Sequence, residues 1–278
     1  MRVVGEWAYL DRVLIDVHAH FLHERTPRAD WRERNASRLR AGERVGITAH
    51  VASMLGSWGL TSPIYFSSPA DTTFANERMR ARQREHPARV RGYVAVNPNY
   101  TAHALGEIER GVAGGMIGVK LAASRRADDR LLDPVCRAAA THRLPVLQHV
   151  WQHRRRDFAG QEASDAEELG RLADRHLDVA FILAHIGGGG DWLHSLHAVR
   201  DRANVYVDLS GSGVDGGMLE RCLDGVGAAR LLWGCDLTID TGWAKIRYLA
   251  HLLPVHDLEL VRAGNAVRIF PRGAFGMD

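Results

Sequence analysis

The 278-residue chain contains few cysteines, and the three present, Cys136, Cys222 and Cys235, stand far apart with no Cys-x-x-Cys pair. This spacing indicates neither a disulfide framework nor a zinc knuckle, and it fits a reducing compartment. The first residues, "MRVVGEWAYLDR", lack the long apolar stretch of a signal peptide. No run reaches the roughly 18 consecutive apolar residues that a membrane span needs. We therefore predict a cytoplasmic protein with no membrane partner.

An excess of one charge is lacking as well. Lys and Arg number 36 against 33 Asp and Glu, the formal net charge is +3, and the arginines are spread along the chain. This distribution predicts no nucleic-acid partner. The hydrophobic fraction of 46% is ordinary for a globular protein, and no linker or low-complexity tract divides the chain. We predict a single domain over residues 1–278 that acts on a small-molecule substrate, and the sequence leaves a homo-oligomer open.

What the chain does contain is eight short apolar runs, with amphipathic stretches rich in Ala, Arg and Glu between them. Strands that alternate with helices predict βαβ units and a parallel sheet, and eight units in roughly 250 residues match one (β/α)8 TIM barrel, an α/β fold. A doubly wound open sheet is the alternative, although no Gly-x-Gly-x-x-Gly follows the first run. The runs are "RVLIDVHAHF", "GITAHVASML", "RVRGYVAVNP", "MIGVKLAAS", "LPVLQHVW", "VAFILAHIGG", "NVYVDLSGSG" and "ARLLWGCDLT".

The first run ends in "LIDVHAHF", which places two histidines one residue apart. Because side chains alternate along a strand, Asp16, His18 and His20 are expected on one face and the residues between them on the other. Two neighbouring imidazoles can bind one metal ion, but a His-x-His motif alone is equally consistent with a partly exposed strand end. Asp16, one layer deeper, is expected either to orient a ligand histidine or to serve a structural role.

Titratable residues also end several of the other runs. In a barrel the C-terminal ends of the strands converge on one mouth, so these side chains should lie together. Each follows a core-like stretch, where a titratable group needs a hydrogen bond, a metal or a catalytic role to offset its desolvation. Singly, each has a structural explanation, but together they indicate a site. They are His18 and His20 of the first run, Lys120 of the fourth, His149 of the fifth, His185 of the sixth and Asp236 of the eighth.

In order and spacing, the motifs around these residues resemble the amidohydrolase superfamily, in particular its amidohydrolase-related branch of metal-dependent hydrolases and decarboxylases. The motifs are "DVHAH", "GVKL", "QHV", "AHIGG", "WGCD" and "GNAVRIF", and the resemblance covers about residues 13 to 270. It implies that a divalent metal, usually zinc, is held by a set of four residues, and that His185 sits beside the metal and faces the substrate. The four are His18, His20, His149 and Asp236.

The chemistry of these side chains agrees with that implication. Three imidazoles and a carboxylate suit one zinc ion, with manganese or iron as alternatives, and an open position makes the site catalytic. A metal there lowers the pKa of a water molecule toward about 7. In a hydrolase of this type, Asp236 would shuttle the proton and His185 would polarise the substrate carbonyl. Lys120 is either a cation that binds an anionic substrate or a carboxylated bridge between two metals.

Two loops are further candidates. The segment "WQHRRRDF" after the fifth run could place Trp151 and Arg154 at the mouth, where they would bind substrate, or it could be a solvated basic loop. The glycines at 187–190 are expected to form a tight turn that admits substrate beside His185.

The sequence predicts a metal-dependent hydrolase of an ester, lactone or amide in a small anionic molecule. A non-oxidative decarboxylase that uses the same site is the alternative, and a non-catalytic binding protein is a third interpretation.

Overall fold

The computed structural model describes residues 13–26, 28–54, 68–150, 164–188, 191–213 and 216–277. Within these ranges, eight parallel strands form one sheet whose order follows the chain from first to last. Each strand lies inside one of the eight predicted runs, so the TIM-barrel prediction is confirmed. The strands are β1 (Ile15–Phe21), β2 (Ala49–Met54), β3 (Val90–Val96), β4 (Gly118–Leu121), β5 (Val146–Gln148), β6 (Phe181–Leu183), β7 (Val205–Asp208) and β8 (Leu231–Leu232).

Helices connect the parallel strands, as parallel neighbours require. Two of them begin with a capping box, in which Ser68 and Asp165 each accept a hydrogen bond from the first helical turn. A π-helical stretch, Leu260–Gly264, joins the last two helices. In the part of the chain that the structure describes, the α-helices are α1 (Trp31–Arg44), α2 (Pro69–Glu85), α3 (Thr101–Ala113), α4 (Asp133–Thr141), α5 (Ala166–Arg175), α6 (Trp192–Val199), α7 (Met218–Val226), α8 (Ile239–Leu252), α9 (Val255–Glu259) and α10 (Asn265–Ile269).

The barrel closes between β8 and β1 through individual hydrogen bonds. The amide of Val17 donates to the carbonyl of Trp233 at 3.1 Å, and the amide of Asp236 donates to the carbonyl of His18 at 2.6 Å. Ala19 and Asp236 form an isolated parallel bridge at the same level. The first and last strands are therefore joined where they carry predicted site residues.

A β-bulge in β1 changes the expected alternation of its side chains. Asp16 pairs with His50 of β2 but Ala19 pairs with Ala52, so β1 has one more residue than β2 in this interval. Asp16 turns toward α1, where Arg38 Nη2 donates to its carboxylate at 2.8 Å. The prediction that Asp16 shares a face with His18 is wrong, because the register shift between Asp16 and Ala19 interrupts the alternation.

Apolar side chains fill the barrel below its mouth. Val17, Val51 and Leu147 from three strands form a buried cluster with Tyr93 and with Phe270, which follows α10. The Tyr93 hydroxyl, fully buried, donates to the carbonyl of Val17 at 2.7 Å. The cluster is an apolar floor beneath the predicted site. None of the described helices is long and apolar enough to cross a membrane.

Candidate metal and substrate site

His18, His20 and Asp236 each bring one ligand atom into a group whose members lie within 4.8 Å of one another. His18 Nε2 is 3.1 Å from His20 Nε2, and His20 Nε2 is 3.1 Å from Asp236 Oδ1. The third side of the group, from His18 Nε2 to Asp236 Oδ1, measures 3.9 Å. Because the two histidines belong to β1 and Asp236 follows β8, the closure of the barrel assembles this group.

The Nδ1 atoms of the two histidines are hydrogen-bonded, and their Nε2 atoms face each other. His18 Nδ1 lies 2.7 Å from Asp208 Oδ2, and His20 Nδ1 lies 3.2 Å from the carbonyl oxygen of Ser53. Asp208 accepts from His18 Nδ1, so His18 presents a lone pair at Nε2. When His20 donates from Nδ1 to the Ser53 carbonyl, its Nε2 offers a second lone pair to a cation. Burial lowers the pKa of His18 well below its usual value, so that ring is neutral. Two lone pairs and a carboxylate oxygen at these separations fit a divalent cation between them.

Asp236 supplies the ionised and most accessible member of this group. Burial alone would raise the pKa of its carboxyl, but the contact with His20 and the nearby imidazoles lower that pKa well below its usual value. The Asp236 side chain is 25% exposed, whereas those of His18 and His20 are 0% and 3% exposed. An ionised oxygen of the group can therefore be reached from outside.

Asp236 and His185 both have a left-handed backbone, with φ of 51° and 42°. Residues other than glycine rarely adopt this conformation, which costs about 1 to 3 kcal/mol and persists where the surroundings hold it. The amide of Asp236 donates to the His18 carbonyl, and the amide of His185 donates to Asp208 Oδ2 at 3.0 Å. Such strained residues cluster at functional sites.

Three more predicted residues surround the group. Lys120 Nζ lies 3.4 Å from His18 Nε2, and burial lowers the pKa of Lys120 to about 8. The ring of His185 stacks on that of His18 with a centroid distance of 5.7 Å. His185 Nε2 is 3.0 Å from His149 Nδ1, and burial lowers the pKa of both rings, so both are neutral. In the described structure His149 thus contacts His185 and lies outside the compact group of three.

The glycine turn after β6 leaves space beside His185. The amide of Gly188 donates to the His185 carbonyl at 2.7 Å, which confirms the tight turn for its described part. A Cβ atom at Gly188 would lie 2.5 Å from His185 Nδ1. That nitrogen is buried and has no hydrogen-bond partner among the described residues. Admission of substrate at this nitrogen stays a prediction.

A cavity of about 950 Å³ opens beside His20. Its walls include Arg34 and Arg38 of α1, Leu237 before α8, and Asp240 in the first turn of α8. The cleft has the volume of a small-molecule site, and most of the residues that line it are polar or charged. Trp151 and Arg154, the other predicted substrate contacts, lie outside the described residues.

Asp208 is a site residue that the sequence analysis missed. Its buried carboxylate accepts hydrogen bonds from the His18 ring at 2.7 Å, from the Ser210 hydroxyl at 2.5 Å and from the His185 amide at 3.0 Å. Burial raises the pKa of Asp208, while the bonds from Ser210 and His185 favour the ionised form. Asp208 fixes the tautomer and the orientation of His18, as carboxylates do behind metal-binding histidines.

Replacing Asp208 with Asn is expected to weaken divalent metal binding by about 10- to 100-fold, because an amide no longer favours the proton on His18 Nδ1. Metal affinity measured by competition with a chelator tests this. Asp133→Asn is the matched control, since it removes an Asp–His contact of 2.9 Å with His176 elsewhere in the chain. Equal loss of affinity in both variants would contradict the role of Asp208.

The protein is thus a barrel with a candidate metal centre at the C-terminal ends of its strands. The family model Amidohydro_2, described as Amidohydrolase, matches residues 15–272, and the chain therefore belongs to this family. It is an enzyme of the amidohydrolase superfamily, and the family predicted from the motifs is confirmed. No curated protein sequence matches the chain significantly.

Several solved structures share the fold. A 5-carboxyvanillate decarboxylase from Sphingomonas paucimobilis has a TM-score of 0.70 and 19% identity, with 92% of this chain and 98% of that chain covered. A 2,6-dihydroxybenzoate decarboxylase from Rhizobium has a TM-score of 0.71 and 17% identity, with 93% and 98% covered. A dihydroxybenzoic acid decarboxylase from Polaromonas sp. JS666, with bound manganese and the inhibitor 2-nitroresorcinol, has a TM-score of 0.71 and 18% identity, with 93% and 96% covered. At these identities the likeness is one of fold.

Proposed function

We propose that the protein is a metal-dependent, non-oxidative decarboxylase of a small carboxylic acid. The observation that carries this proposal is the buried ammonium group of Lys120, 3.4 Å from His18 Nε2. A divalent ion and Lys120 together carry three positive charges, against one negative charge each on Asp236 and Asp208. A substrate carboxylate would neutralise the remaining positive charge, which is costly to leave buried. The charge therefore favours an anionic substrate.

The solved structures with this fold support an aromatic carboxylic acid as the class of substrate. The solved structures described above act on 5-carboxyvanillate and on dihydroxybenzoates, which are hydroxylated aromatic carboxylates. The cavity that His20 borders has room for such a ring. We therefore propose a hydroxylated aromatic acid as the substrate, in place of the ester, lactone or amide that the sequence favoured.

His18, His20 and Asp236 are the residues that we propose to hold one divalent ion. When bound, the ion supplies Lewis acidity at a substrate oxygen. If His149 donates from Nδ1 to His185, its Nε2 carries a lone pair and is the atom through which His149 would be the fourth ligand. Nitrogen and oxygen donors suit zinc, the ion expected from the sequence, and also manganese, which the Polaromonas structure contains.

Decarboxylation breaks one carbon–carbon bond and forms one carbon–hydrogen bond. The electron pair of the broken bond stays on the substrate carbon, carbon dioxide leaves, and that carbon takes up a proton. Lys120 would hold the carboxylate in place. His185 Nδ1, beside the space that Gly188 leaves, would hydrogen-bond the substrate. The protonated carboxyl of Asp236 would give the carbon its proton, return to the carboxylate and take up the next proton from solvent. Asp236, partly exposed, would carry protons between the site and solvent.

A pair of substrates that differ only in the carboxyl group tests this function. Metal-loaded protein is incubated with carboxyl-labelled 2,6-dihydroxybenzoate and with its methyl ester, and both carbon dioxide and the aromatic products are measured. A decarboxylase releases labelled carbon dioxide from the acid and leaves the ester unchanged. His142→Ala, at a surface pair with Glu109, is the control variant and should keep full activity. A panel of other hydroxylated aromatic acids and their esters extends the test if this acid is not the substrate.

A hydrolase is the second candidate, and the accessibility and ionisation of Asp236 favour it. A carboxylate beside the ligand group could accept a proton from an attacking water, as the sequence analysis expected. In the same assay a hydrolase would convert the ester to the acid without carbon dioxide, and that result would replace the decarboxylase proposal. Metal binding without turnover of any compound in the panel would favour a non-catalytic binding protein.

A further inference from the structure

Asp236 reaches the ligand group through a backbone conformation that needs support. Its φ of 51° lies in the left-handed region, where a residue with a side chain is strained. The next residue, Leu237, is 54% exposed, so the chain leaves the site immediately. Contacts on both sides of the Asp236 peptide are therefore needed to hold the carboxylate against His20.

Those contacts come from β1 on one side and from α1 on the other. The amide of Asp236 donates to the His18 carbonyl at 2.6 Å, and the carbonyl of Asp236 accepts from Arg38 Nη1 at 2.7 Å. Both backbone groups of the strained residue are thus occupied. Arg38 lies in α1, on the outer side of the barrel, and it does not belong to the ligand group.

Arg38 is itself held by a buried carboxylate. Its Nη2 donates to Asp16 Oδ2 at 2.8 Å, the Asp16 side chain is fully buried, and the Arg38 side chain is 8% exposed. The same Asp16 oxygen contacts His50 Nδ1 at 2.9 Å. Asp16 Oδ1 accepts from the amide of Cys235, the neighbour of Asp236, at 2.9 Å. A planar guanidinium can serve Asp16 and the Asp236 carbonyl at once, which an ammonium group cannot do in the same geometry.

We infer that Arg38 is a positioning residue that holds the left-handed backbone of Asp236 and thereby keeps its carboxylate in the ligand group. The inference rests on the metal site of the proposed function. It also gives the bulge in β1 a role, because the bulge turns Asp16 outward to meet Arg38. A substrate-binding role for Arg38, which also lines the cavity, is the competing explanation.

Two variants of α1 separate these explanations. Arg38→Lys keeps the positive charge beside Asp16 but loses the second nitrogen, which donates to the Asp236 carbonyl. Arg34→Gln is the matched control, because Arg34 lies one turn earlier, lines the same cavity, and binds Asp30 at 2.8 Å with a side chain that is 51% exposed. Metal affinity of the substrate-free proteins is measured by competition with a chelator, and folding is checked by circular dichroism.

We expect Arg38→Lys to bind the divalent ion about 10- to 100-fold more weakly and Arg34→Gln to bind it as the parent does. At saturating metal, Arg38→Lys should lower kcat more than it raises KM. In the variant Arg38→Ala, added guanidinium ion should restore part of the metal affinity.

Parental metal affinity in folded Arg38→Lys, with only KM raised, would overturn the inference in favour of substrate binding. If Arg38→Lys does not fold, the double variant Asp16→Asn/Arg38→Met removes the buried charge pair, and parental metal affinity there would overturn it equally. A parent protein that binds no divalent ion would instead contradict the proposed metal site.

Discussion

Asp236→Asn is expected to lower turnover by about 10² to 10⁴ at saturating metal, which is the usual cost of losing a positioned proton carrier. Asparagine preserves the shape of the side chain and one ligand oxygen, but it carries no charge and cannot accept a proton at neutral pH. The variant should keep its fold, because the backbone bonds of Asp236 to His18 and Arg38 do not involve the carboxylate.

The measurement compares kcat of parent and variant over a range of metal concentrations, since the amide is also a weaker ligand. Asp240→Asn serves as the control, because Asp240 lies four residues further on, lines the cavity beside His20 and does not belong to the ligand group. Turnover of the metal-saturated Asp236→Asn variant within a few-fold of the parent would make Asp236 a structural residue. His185 would then be the next candidate for proton transfer.

Replacing His18 or His20 with Ala is expected to remove the bound metal and nearly all activity, since their Nε2 atoms are 3.1 Å apart and face the same point. The parent protein should carry close to one equivalent of divalent ion after dialysis, and either variant much less. Elemental analysis of dialysed protein measures both. His142→Ala removes an imidazole from the surface and should leave the metal content unchanged.

Elemental analysis of the dialysed protein also tests the role of Lys120. Two equivalents of metal in the parent, lost together in Lys120→Ala, would contradict the single-ion proposal and indicate a carboxylated lysine that bridges two ions. One equivalent that survives Lys120→Ala, together with weaker binding of the substrate acid, would agree with Lys120 as the cation for a carboxylate.

The sequence predicted the barrel and the three residues of the ligand group because parallel strands are buried on both faces. Such strands read as continuous apolar runs, and a histidine or carboxylate at the end of a run is then conspicuous. His18, His20 and Asp236 were all found in this way. Asp208 ends β7 and is the last titratable residue of the seventh run, so examination of each run's last titratable residue would have found it.

Arg38 could not have been identified from the sequence. Helix α1 reads "WRERNASRLRAGER", and its five arginines look equivalent until the fold is known. The partners of Arg38 lie 22 and 198 residues away in the chain, and their approach depends on closure of the barrel. The bulge that turns Asp16 outward was unpredictable for a related reason, because it is a property of the pairing between β1 and β2 and not of either strand alone.

The joining of β8 to β1 has a consequence for how the protein folds. The amide of Cys235 bonds to Asp16 across a sequence separation of 219 residues, and the ligand group spans nearly the same length of chain. A chain still being synthesised therefore has no complete group until its last strand has emerged. An ion that binds only the closed barrel stabilises it by about 2.7 kcal/mol at a hundredfold excess over Kd. In metal-depleted protein, we expect amide hydrogen exchange to accelerate first at Val17 and Asp236, whose bonds close the barrel.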